Sequence, residues 1–452
     1  MASVKILEAC QVPPSFDSPD SAKEFSLPLT FFDLFWLRFP PVERLYFYQL
    51  TNSTPDFFNS VILPKLKHSL SLTLLHFLPL AGRLTWPPNY PKPIILYTPI
   101  DGLPLTVAES DADFDRLSSN EMIDATESHP YVPELPISET ISAIIALQIT
   151  LFPKKGFTIG YCINHAVLDG KSITMFMKAW SYICKNGNPN LSPELAPIYD
   201  RSIIRDDPSE LGTLFLTQWE ILTESESAKN PRSLQVLPYV GVARNKVRST
   251  FELTRENINK LKKTVSSSSY SFSTFVITCA YISVCMVKAR GELEDKNRRV
   301  WFAFSVDCRS RLEPPVPANY FGNCIAPRDF ITKAEDFTAE NGVCEIAERV
   351  SGMIKGLENG VLDGMDETLM TMKSVEAVQM ISVAGSTTFQ VYGCDFGWGK
   401  PKKVDITSID RTGAVAINES RDGNGGVEIG LALPINEMEA FSLLFVDGLK
   451  HL

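Results

Sequence analysis

Residues 145–170, IALQITLFPKKGFTIGYCINHAVLDG, determine how the first half of this chain is predicted to fold. Apolar and polar side chains alternate over 145–151 and again over 157–163, as in two strands that each bury one face. The short PKKG segment between them forms a turn, so the strands are predicted to pair as a β-hairpin. After Gly170 the apolar residues recur at helical spacing. His165 is therefore predicted to lie where a strand ends and a turn leads into a helix.

Helices and strands are mixed in both halves of the chain. The spacing of apolar residues predicts a helix over 56–77 and a buried helix over 273–288. A hairpin turn is predicted at 422–426, and the last helix at 437–449. A polar, proline-containing stretch over 186–235 is the best linker candidate. This mixture indicates layers of the α/β class or the α+β class.

The composition is that of an ordinary globular enzyme. The 452 residues include 43 Lys and Arg against 53 Asp and Glu, a net charge of −10 that argues against a general nucleic-acid binder. The N-terminal residues lack the apolar block of a signal peptide. The uncharged run 265–287 carries too many hydroxyl groups for a membrane span. Nine scattered cysteines without a C-x-x-C pair indicate free thiols in a reducing compartment, and a cytoplasmic protein is expected.

His165 is the residue most suited to chemistry. The other four of the five histidines lie on an amphipathic helix, before a proline or next to the chain end, where a surface or structural role is expected. His165 differs because it follows an apolar strand and has Asp169 four residues later. Taken alone, the H-x-x-x-D spacing fits a structural pair as well as it fits a functional one.

Other kinds of site lack the residues that they need. No third or fourth metal ligand lies near His165, and neither G-x-S-x-G nor a phosphate-binding P-loop occurs. Cys162 fits a buried, small apolar side chain better than a thiol nucleophile. These absences set aside a metal site, a serine or thiol nucleophile and a phosphate-binding loop, and they leave a structural role for His165 open.

Two segments together resemble a known family. Residues 165–170, HAVLDG, and residues 395–399, DFGWG, are similar to the paired signatures of the plant BAHD acyl-CoA-dependent acyltransferases. The resemblance covers essentially the whole chain through segments in the same order and spacing: 27–33 (LPLTFFD), 79–83 (PLAGR), 199–202 (YDRS) and 307–309 (DCR). The segment 320–324, YFGNC, is similar to one in the branch that acts on anthocyanin, flavonoid and other phenolic glycosides. One departure is GSTT at 385–388, where relatives usually carry a proline after Gly-Ser.

The resemblance implies an α/β fold of two similar chloramphenicol-acetyltransferase-like domains with a solvent tunnel between them. The N-terminal domain is expected over residues 1–200 with the H-x-x-x-D motif, and the C-terminal domain over 236–452 with the DFGWG motif. Residues 201–235 would form the crossover linker, and a short segment is allowed to exchange between the domains.

For the site, the resemblance implies a general base at His165, which would remove a proton from a sugar hydroxyl as that oxygen attacks the thioester. Asp169, also assigned to catalysis, would act by pairing with Arg309 and holding the turn that aims His165. Trp398 is assigned to catalysis because its indole N–H could reach the developing oxyanion, with structural support equally open. Structural support is expected from Arg309, Asp395, Gly397 and Gly399.

Acyl-CoA is the expected co-substrate, with no bound cofactor and no metal. Hydroxyl groups at the start of the buried helix, where a helix N-terminus binds phosphate, are predicted to contact it: Ser271, Ser273 and Thr274. Three lysines would neutralise the nucleotide, a solvated basic face being the alternative: Lys260, Lys263 and Lys400. Lys171 is assigned to the malonyl carboxylate, with exposure to solvent equally open.

The sequence thus predicts an acyl-CoA-dependent O-acyltransferase that moves a malonyl group to a sugar hydroxyl of a phenolic glycoside by direct attack on the thioester. Two alternatives stay open: the same reaction with hydroxycinnamoyl-CoA or acetyl-CoA, and a catalytically silent binding protein of the same fold. The expected partners are the glycoside acceptor and the acyl-CoA donor, without nucleic acid or membrane. A monomer is expected.

Overall fold

The computed structural model describes residues 3–16, 23–51, 54–205, 210–223, 230–237, 245–265, 272–291, 297–358, 360–374 and 379–450. The strands are β1 Val4–Val12, β2 Phe25–Pro28, β3 Val42–Gln49, β4 Arg83–Thr85, β5 Ile94–Tyr97, β6 Leu103–Ser110, β7 Ile123–Asp124, β8 Ile141–Ala143, β9 Ile145–Phe152, β10 Gly156–Ile163, β11 Lys246–Leu253, β12 Arg299–Asp307, β13 Ile325–Lys333, β14 Gln379–Ser386, β15 Lys403–Ile406, β16 Val415–Glu419 and β17 Val427–Pro434. The helices are α1 Phe31–Leu34, α2 Pro55–Phe57, α3 Leu63–His76, α4 Phe114–Leu117, α5 Gly170–Asn186, α6 Leu211–Thr223, α7 Arg255–Val265, α8 Thr274–Ala289, α9 Ala334–Thr338, α10 Gly342–Gly356, α11 Met365–Ser374, α12 Ile409–Thr412 and α13 Ile435–Lys450.

Two large mixed sheets dominate the fold. The first has the strand order β1-β6-β9-β10-β3-β15, the second β13-β12-β14-β16-β17-β11-β7, and a small third sheet is β2-β5-β4-β8. The predicted hairpin is confirmed as the antiparallel pair β9 and β10, with Ile145 opposite Ile163. Helices α5 and α8 begin within one residue of the positions that the apolar period predicts. The predicted helix over 56–77 is also confirmed, with a π-helical turn at Phe58–Ile62 before α3.

The two halves of the chain exchange strands. Strand β15, from the second half, pairs with β3 of the first sheet, where Lys403 lies opposite Phe47. Strand β7, from the first half, pairs with β11 of the second sheet, where Asp124 lies opposite Val247. One exchanged segment was allowed for from the family resemblance, whereas the structure has one in each direction. Short strands of four and two residues carry too little local signal to reveal this pairing.

The predicted linker over 201–235 contains a packed helix, α6. Its Trp219 donates an indole hydrogen bond of 3.1 Å to the carbonyl of Leu34, and its Gln218 donates one of 2.7 Å to the carbonyl of Asp366. The connection between the halves is therefore anchored to both of them along its described part. Helix α8 is buried along its length in the second half. No helix in the described ranges is both long enough and apolar enough to cross a bilayer.

Candidate active site

The turn that carries His165 is fixed at both ends. Strand β10 stops at Ile163, and the side chain of Asn164 then accepts a hydrogen bond of 2.9 Å from the backbone of Ala166 and donates one of 2.9 Å to Ser142. At the other end, Asp169 caps α5 by accepting a hydrogen bond of 2.8 Å from the backbone of Ser172. The predicted position of His165 at a strand-to-helix turn is confirmed.

The imidazole of His165 is held against an aromatic ring. It stacks face to face on the indole of Trp36, with ring centroids 4.0 Å apart and planes 3° apart. The pKa of His165 is lowered to about 4, because burial disfavours the charged ring more than its own backbone and the charge of Asp169 favour it. At neutral pH the imidazole is therefore uncharged and able to accept a proton.

The predicted pair of Asp169 and Arg309 is confirmed. Their side chains are 2.8 Å apart and only 1% and 2% exposed, so the charges are almost fully removed from water. Asp169 also accepts a hydrogen bond of 3.2 Å from the backbone of Cys324. Arg309 donates further hydrogen bonds to the carbonyls of Tyr320 and Gly322, at 3.2 and 3.1 Å. The pair therefore joins the turn of the first half to the second half of the chain.

Lys171 reaches from α5 to the second half. Its ammonium is 3.0 Å from the carboxylate of Asp307, and the two side chains are 37% and 41% exposed. Asp307 is also 3.1 Å from Arg309. Burial raises the pKa of Asp307, but Arg309 and Lys171 outweigh this and hold it below its usual value. Lys171 is thus an accessible cation, already paired on one side, near the turn that carries His165.

One face of the second sheet is open to solvent beside this lysine. Strand β12 lies between β13 and β14, yet Ser305 is exposed, and Ala303 and Asp307 on the same face are only partly buried. In the adjoining β14, Ser382, Ala384 and Ser386 lie on the same face, because Ala303 pairs with Ser382, and they are partly buried as well. The open face of β12 and β14 (Ala303, Ser305, Asp307, Ser382, Ala384 and Ser386) is therefore accessible to solvent beside Lys171.

The DFGWG segment lies at the far end of α5. Asp395 accepts hydrogen bonds of 2.8 and 2.9 Å from the backbones of Gly397 and Gly399, which both adopt a φ of +104° that favours glycine. Asp395 is also 2.7 Å from Lys185, in the last turn of α5. The 17 residues of α5 span about 25 Å at 1.5 Å per residue, and His165 lies just before their other end. These residues shape a turn remote from the imidazole, in keeping with structural support.

The prediction that Trp398 takes part in catalysis is wrong. Its ring meets that of Phe157 edge-on, with centroids 6.1 Å apart, and lies under the ammonium of Lys65 at 5.1 Å. Phe157 is near the start of β10 and His165 follows its end, and the strand from Phe157 to Ile163 alone spans about 20 Å at 3.3 Å per residue. An indole N–H at that distance cannot reach an oxyanion formed beside His165.

The residues predicted to bind CoA are only partly brought together. Ser273 caps α8 by accepting a hydrogen bond of 3.2 Å from Val276, and Thr274 accepts one of 3.2 Å from Lys262 of α7. Lys260 pairs with Glu256 at 3.4 Å, and Lys263 is exposed on the same helix. Lys400 is exposed between Trp398 and β15, beside the first sheet instead of α7. Ser271 lies outside the described residues. The described ranges contain no group of three or more His, Cys, Asp or Glu side chains placed to hold a metal ion.

A buried polar cluster around Asp33 was missed in the sequence. Asp33 is fully buried and accepts hydrogen bonds of 2.9 and 3.1 Å from the backbone and side chain of Asn323. Asn323 also donates a hydrogen bond of 2.9 Å to the carbonyl of His165. Arg201 is 3.7 Å from Asp33 and donates to Phe321 at 2.9 Å. The available signal was that Asp33, Arg201 and Asn323 each lie in a segment that resembles the family: 27–33, 199–202 and 320–324.

Comparisons with known proteins agree with this fold. The family model described as Transferase family matches residues 2–445. Phenolic glucoside malonyltransferase 1 of Arabidopsis thaliana is 45% identical and covers 100% of this chain and 98% of its own. Malonyl-CoA:anthocyanidin 5-O-glucoside-6''-O-malonyltransferase of the same plant is 44% identical over 99% of both chains. The crystal structure of vinorine synthase superposes with a TM-score of 0.70 at 24% identity, over 97% of this chain and 96% of that one, which confirms the predicted fold class. The chain therefore belongs to the BAHD family of acyl-CoA-dependent acyltransferases, and it is an acyltransferase.

Proposed function

We propose that this protein transfers the malonyl group of malonyl-CoA to a sugar hydroxyl of a phenolic glycoside, with His165 as the general base. The observation that carries the chemistry is the imidazole of His165 stacked on Trp36 at the turn before α5, where burial lowers its pKa. The choice of malonyl rests on Lys171 and on the relatives that are named as malonyltransferases. The glycoside acceptor rests on the names of the same relatives.

The reaction needs one base and no acyl-enzyme intermediate. His165 takes the proton of the acceptor hydroxyl while that oxygen forms a bond to the thioester carbonyl carbon, whose π electrons move onto the carbonyl oxygen. Collapse of this tetrahedral species restores the carbonyl and breaks the C–S bond, so that CoA leaves as a thiolate. The imidazolium of His165 then returns its proton to the thiolate. Holding donor and acceptor together between the two halves supplies much of the rate.

The pH dependence of the rate reports the state of His165. The active form is the neutral imidazole, so protonation lowers the rate as the pH falls through the pKa. With a pKa of about 4, kcat/KM is expected to stay flat from pH 8 to pH 6 and to fall only below about pH 5. Initial rates with acetyl-CoA, whose acyl group does not titrate, are measured at pH values where the protein stays folded. An acidic limb centred at 6.5 or above contradicts this environment for the base.

Lys171 is suited to bind the carboxylate of the donor. A carboxylate that enters a partly buried site needs a cationic partner to offset its lost hydration. The ammonium of Lys171 has three N–H donors, and its contact with Asp307 engages one side of the group. The N-terminus of α5, where Lys171 is the second residue, adds a favourable dipole for an anion. Asp307 therefore leaves Lys171 able to bind a second carboxylate.

Replacing Lys171 by methionine separates malonyl recognition from the transfer step. We expect kcat/KM with malonyl-CoA to fall by about one to two orders of magnitude, the equivalent of a hydrogen bond between charged groups, and kcat/KM with acetyl-CoA to stay nearly unchanged. The matched control is Lys67→Met, which removes another partly exposed lysine from an ion pair, that with Glu8. An equal loss with both donors, or no loss with either, removes Lys171 from the malonyl site.

A panel of donors and acceptors tests the proposal as a whole. The protein is incubated with malonyl-, acetyl- and coumaroyl-CoA and a set of phenolic glycosides, and the product masses are read. Malonylated glycoside as the main product supports the proposal. A preference for coumaroyl-CoA overturns the donor, and the absence of any transfer favours the binding-protein alternative.

The setting of the reaction is part of the same proposal. All nine cysteines are free thiols in the structure, which supports a reducing compartment, and we place the protein in the cytoplasm. The pair of Asp169 and Arg309 comes from the two halves of one chain, which supports a monomer as the working unit. Size-exclusion chromatography with light scattering checks the second point, and an obligate dimer would contradict it.

A further inference from the structure

Trp36 is placed to control the orientation of His165. The two rings are parallel and in van der Waals contact over their faces. The imidazole also contacts its own backbone, but no hydrogen bond of normal geometry reaches its Nδ1 from any described residue. The indole face is therefore the main restraint on rotation of the imidazole about its side-chain bonds.

The turn that carries Trp36 also holds the backbone of His165. The backbone N–H of Trp36 donates to the carbonyl of Asp33 at 3.0 Å, so the two residues belong to one turn. The carboxylate of Asp33 accepts hydrogen bonds from the backbone and the side chain of Asn323. The carboxamide of Asn323 also donates a hydrogen bond to the carbonyl of His165. Asp33 and Asn323 are both fully buried. The turn from Asp33 to Trp36 thus holds both parts of His165. Trp36 contacts the imidazole ring, and Asp33 holds the backbone carbonyl through Asn323.

We propose that Trp36, together with the Asp33–Asn323 pair, is a positioning device for the base: it fixes the imidazole of His165 in the orientation that proton transfer requires. This inference rests on the proposed role of His165. Trp36 acts through its flat face, and its effect on the reaction passes entirely through His165. The tryptophan that matters at this site is therefore Trp36 and not Trp398.

The size of the effect follows from the geometry of proton transfer. A base must stay within hydrogen-bonding distance of the hydroxyl in its working orientation, and a displacement of about 1 Å costs roughly 100-fold in rate. A ring free to rotate spends only part of its time aligned. Loss of the indole face is therefore expected to lower kcat while leaving the binding of the donor unchanged.

Two substitutions at Trp36 test the role of the flat face. Trp36→Leu is expected to lower kcat by about 10- to 100-fold with the KM for malonyl-CoA within about twofold of the parent. Trp36→Phe is expected to recover most of that loss, because a flat ring remains. Trp86→Leu is the matched control, since Trp86 is a partly buried indole that contacts Arg232 away from the site, and it should behave as the parent. If Trp36→Phe is as slow as Trp36→Leu, the indole N–H acts instead of the ring face and the proposal is overturned.

A double-variant cycle tests whether the effect passes through His165. In the His165→Ala background, Trp36→Leu is expected to cause no further loss of rate, because no imidazole remains to be positioned. An equal loss in both backgrounds overturns the proposal. Thermal denaturation and binding of coenzyme A show whether Trp36→Leu folds. If it does not, Asn323→Ala takes its place in the cycle, and it too is expected to cause no further loss of rate in the His165→Ala background.

Histidine NMR gives a readout that does not depend on activity. The chain has five histidines, so the Cε1–H signal of His165 can be assigned by its loss in His165→Ala. We expect the ring current of residue 36 to shift this signal in the parent and in Trp36→Phe. In Trp36→Leu the signal should remain but without the ring-current shift. Turnover retained by His165→Ala would overturn the proposed base itself, whereas an inactive His165→Ala beside a fully active Trp36→Leu would overturn only the positioning role.

Discussion

His165→Ala is expected to lower kcat by about two to four orders of magnitude, the largest loss of activity among the substitutions considered for this protein. Burial lowers the pKa of the imidazole at the turn before α5 to about 4, and the substitution removes the group that is proposed to take the proton of the acceptor hydroxyl. Steady-state rates with malonyl-CoA and a phenolic glucoside measure the loss.

The rest of the protein should be little affected by this change. Trp36 keeps its contacts with Phe35 and Phe39, so the fold and the binding of coenzyme A are expected to stay close to those of the parent. His68→Ala is the matched control, since His68 is exposed on α3, and it should retain full activity. Turnover near the parent value in His165→Ala would show that the proton leaves by another route.

Local features of the site were predictable from the sequence. Strand and helix periods are properties of neighbouring residues, so the hairpin of β9 and β10 and the turn at His165 follow from the order of the side chains alone. The pair of Asp169 and Arg309 spans 140 residues, and it followed only from the family resemblance. The period of apolar residues carries no information about contacts between residues so far apart in the sequence.

The contacts that complete the site were not predictable, because they join segments far apart in the chain. Asp33 and Asn323 are 290 residues apart, and each becomes meaningful only when the other is placed beside it. The error over Trp398 has the same origin. The DFGWG motif contains Trp398, and this is why Trp398 was assigned to catalysis. Trp36 lies within an apolar stretch and is typical of a core residue in the sequence, and only the fold shows that it stacks on His165.

Asp169→Asn is expected to lower the free energy of unfolding by about 3 kcal/mol, the low end of the cost of breaking a buried ion pair. The amide that replaces the carboxylate cannot balance the charge of Arg309, which is 2% exposed and keeps Asp307 as its one acidic partner among the described residues. It also keeps only one acceptor oxygen, so its NH2 group faces either the N–H of Ser172 or the N–H of Cys324, which donate to the two different oxygens of Asp169. Activity is expected to fall together with stability, because the same contacts hold the turn that carries His165.

Denaturant and thermal unfolding measure the stability term, with Asp447→Asn as the matched control. Asp447 forms an exposed ion pair with Lys450, and its loss should cost less than about 1 kcal/mol. Because Asp169→Asn and Arg309→Met disrupt one pair, the double variant should lose less than the sum of the two single losses. An Asp169→Asn protein that is inactive yet as stable as the parent, with His165 unmoved in its crystal structure, would assign Asp169 an electronic effect on the imidazole in place of an architectural one.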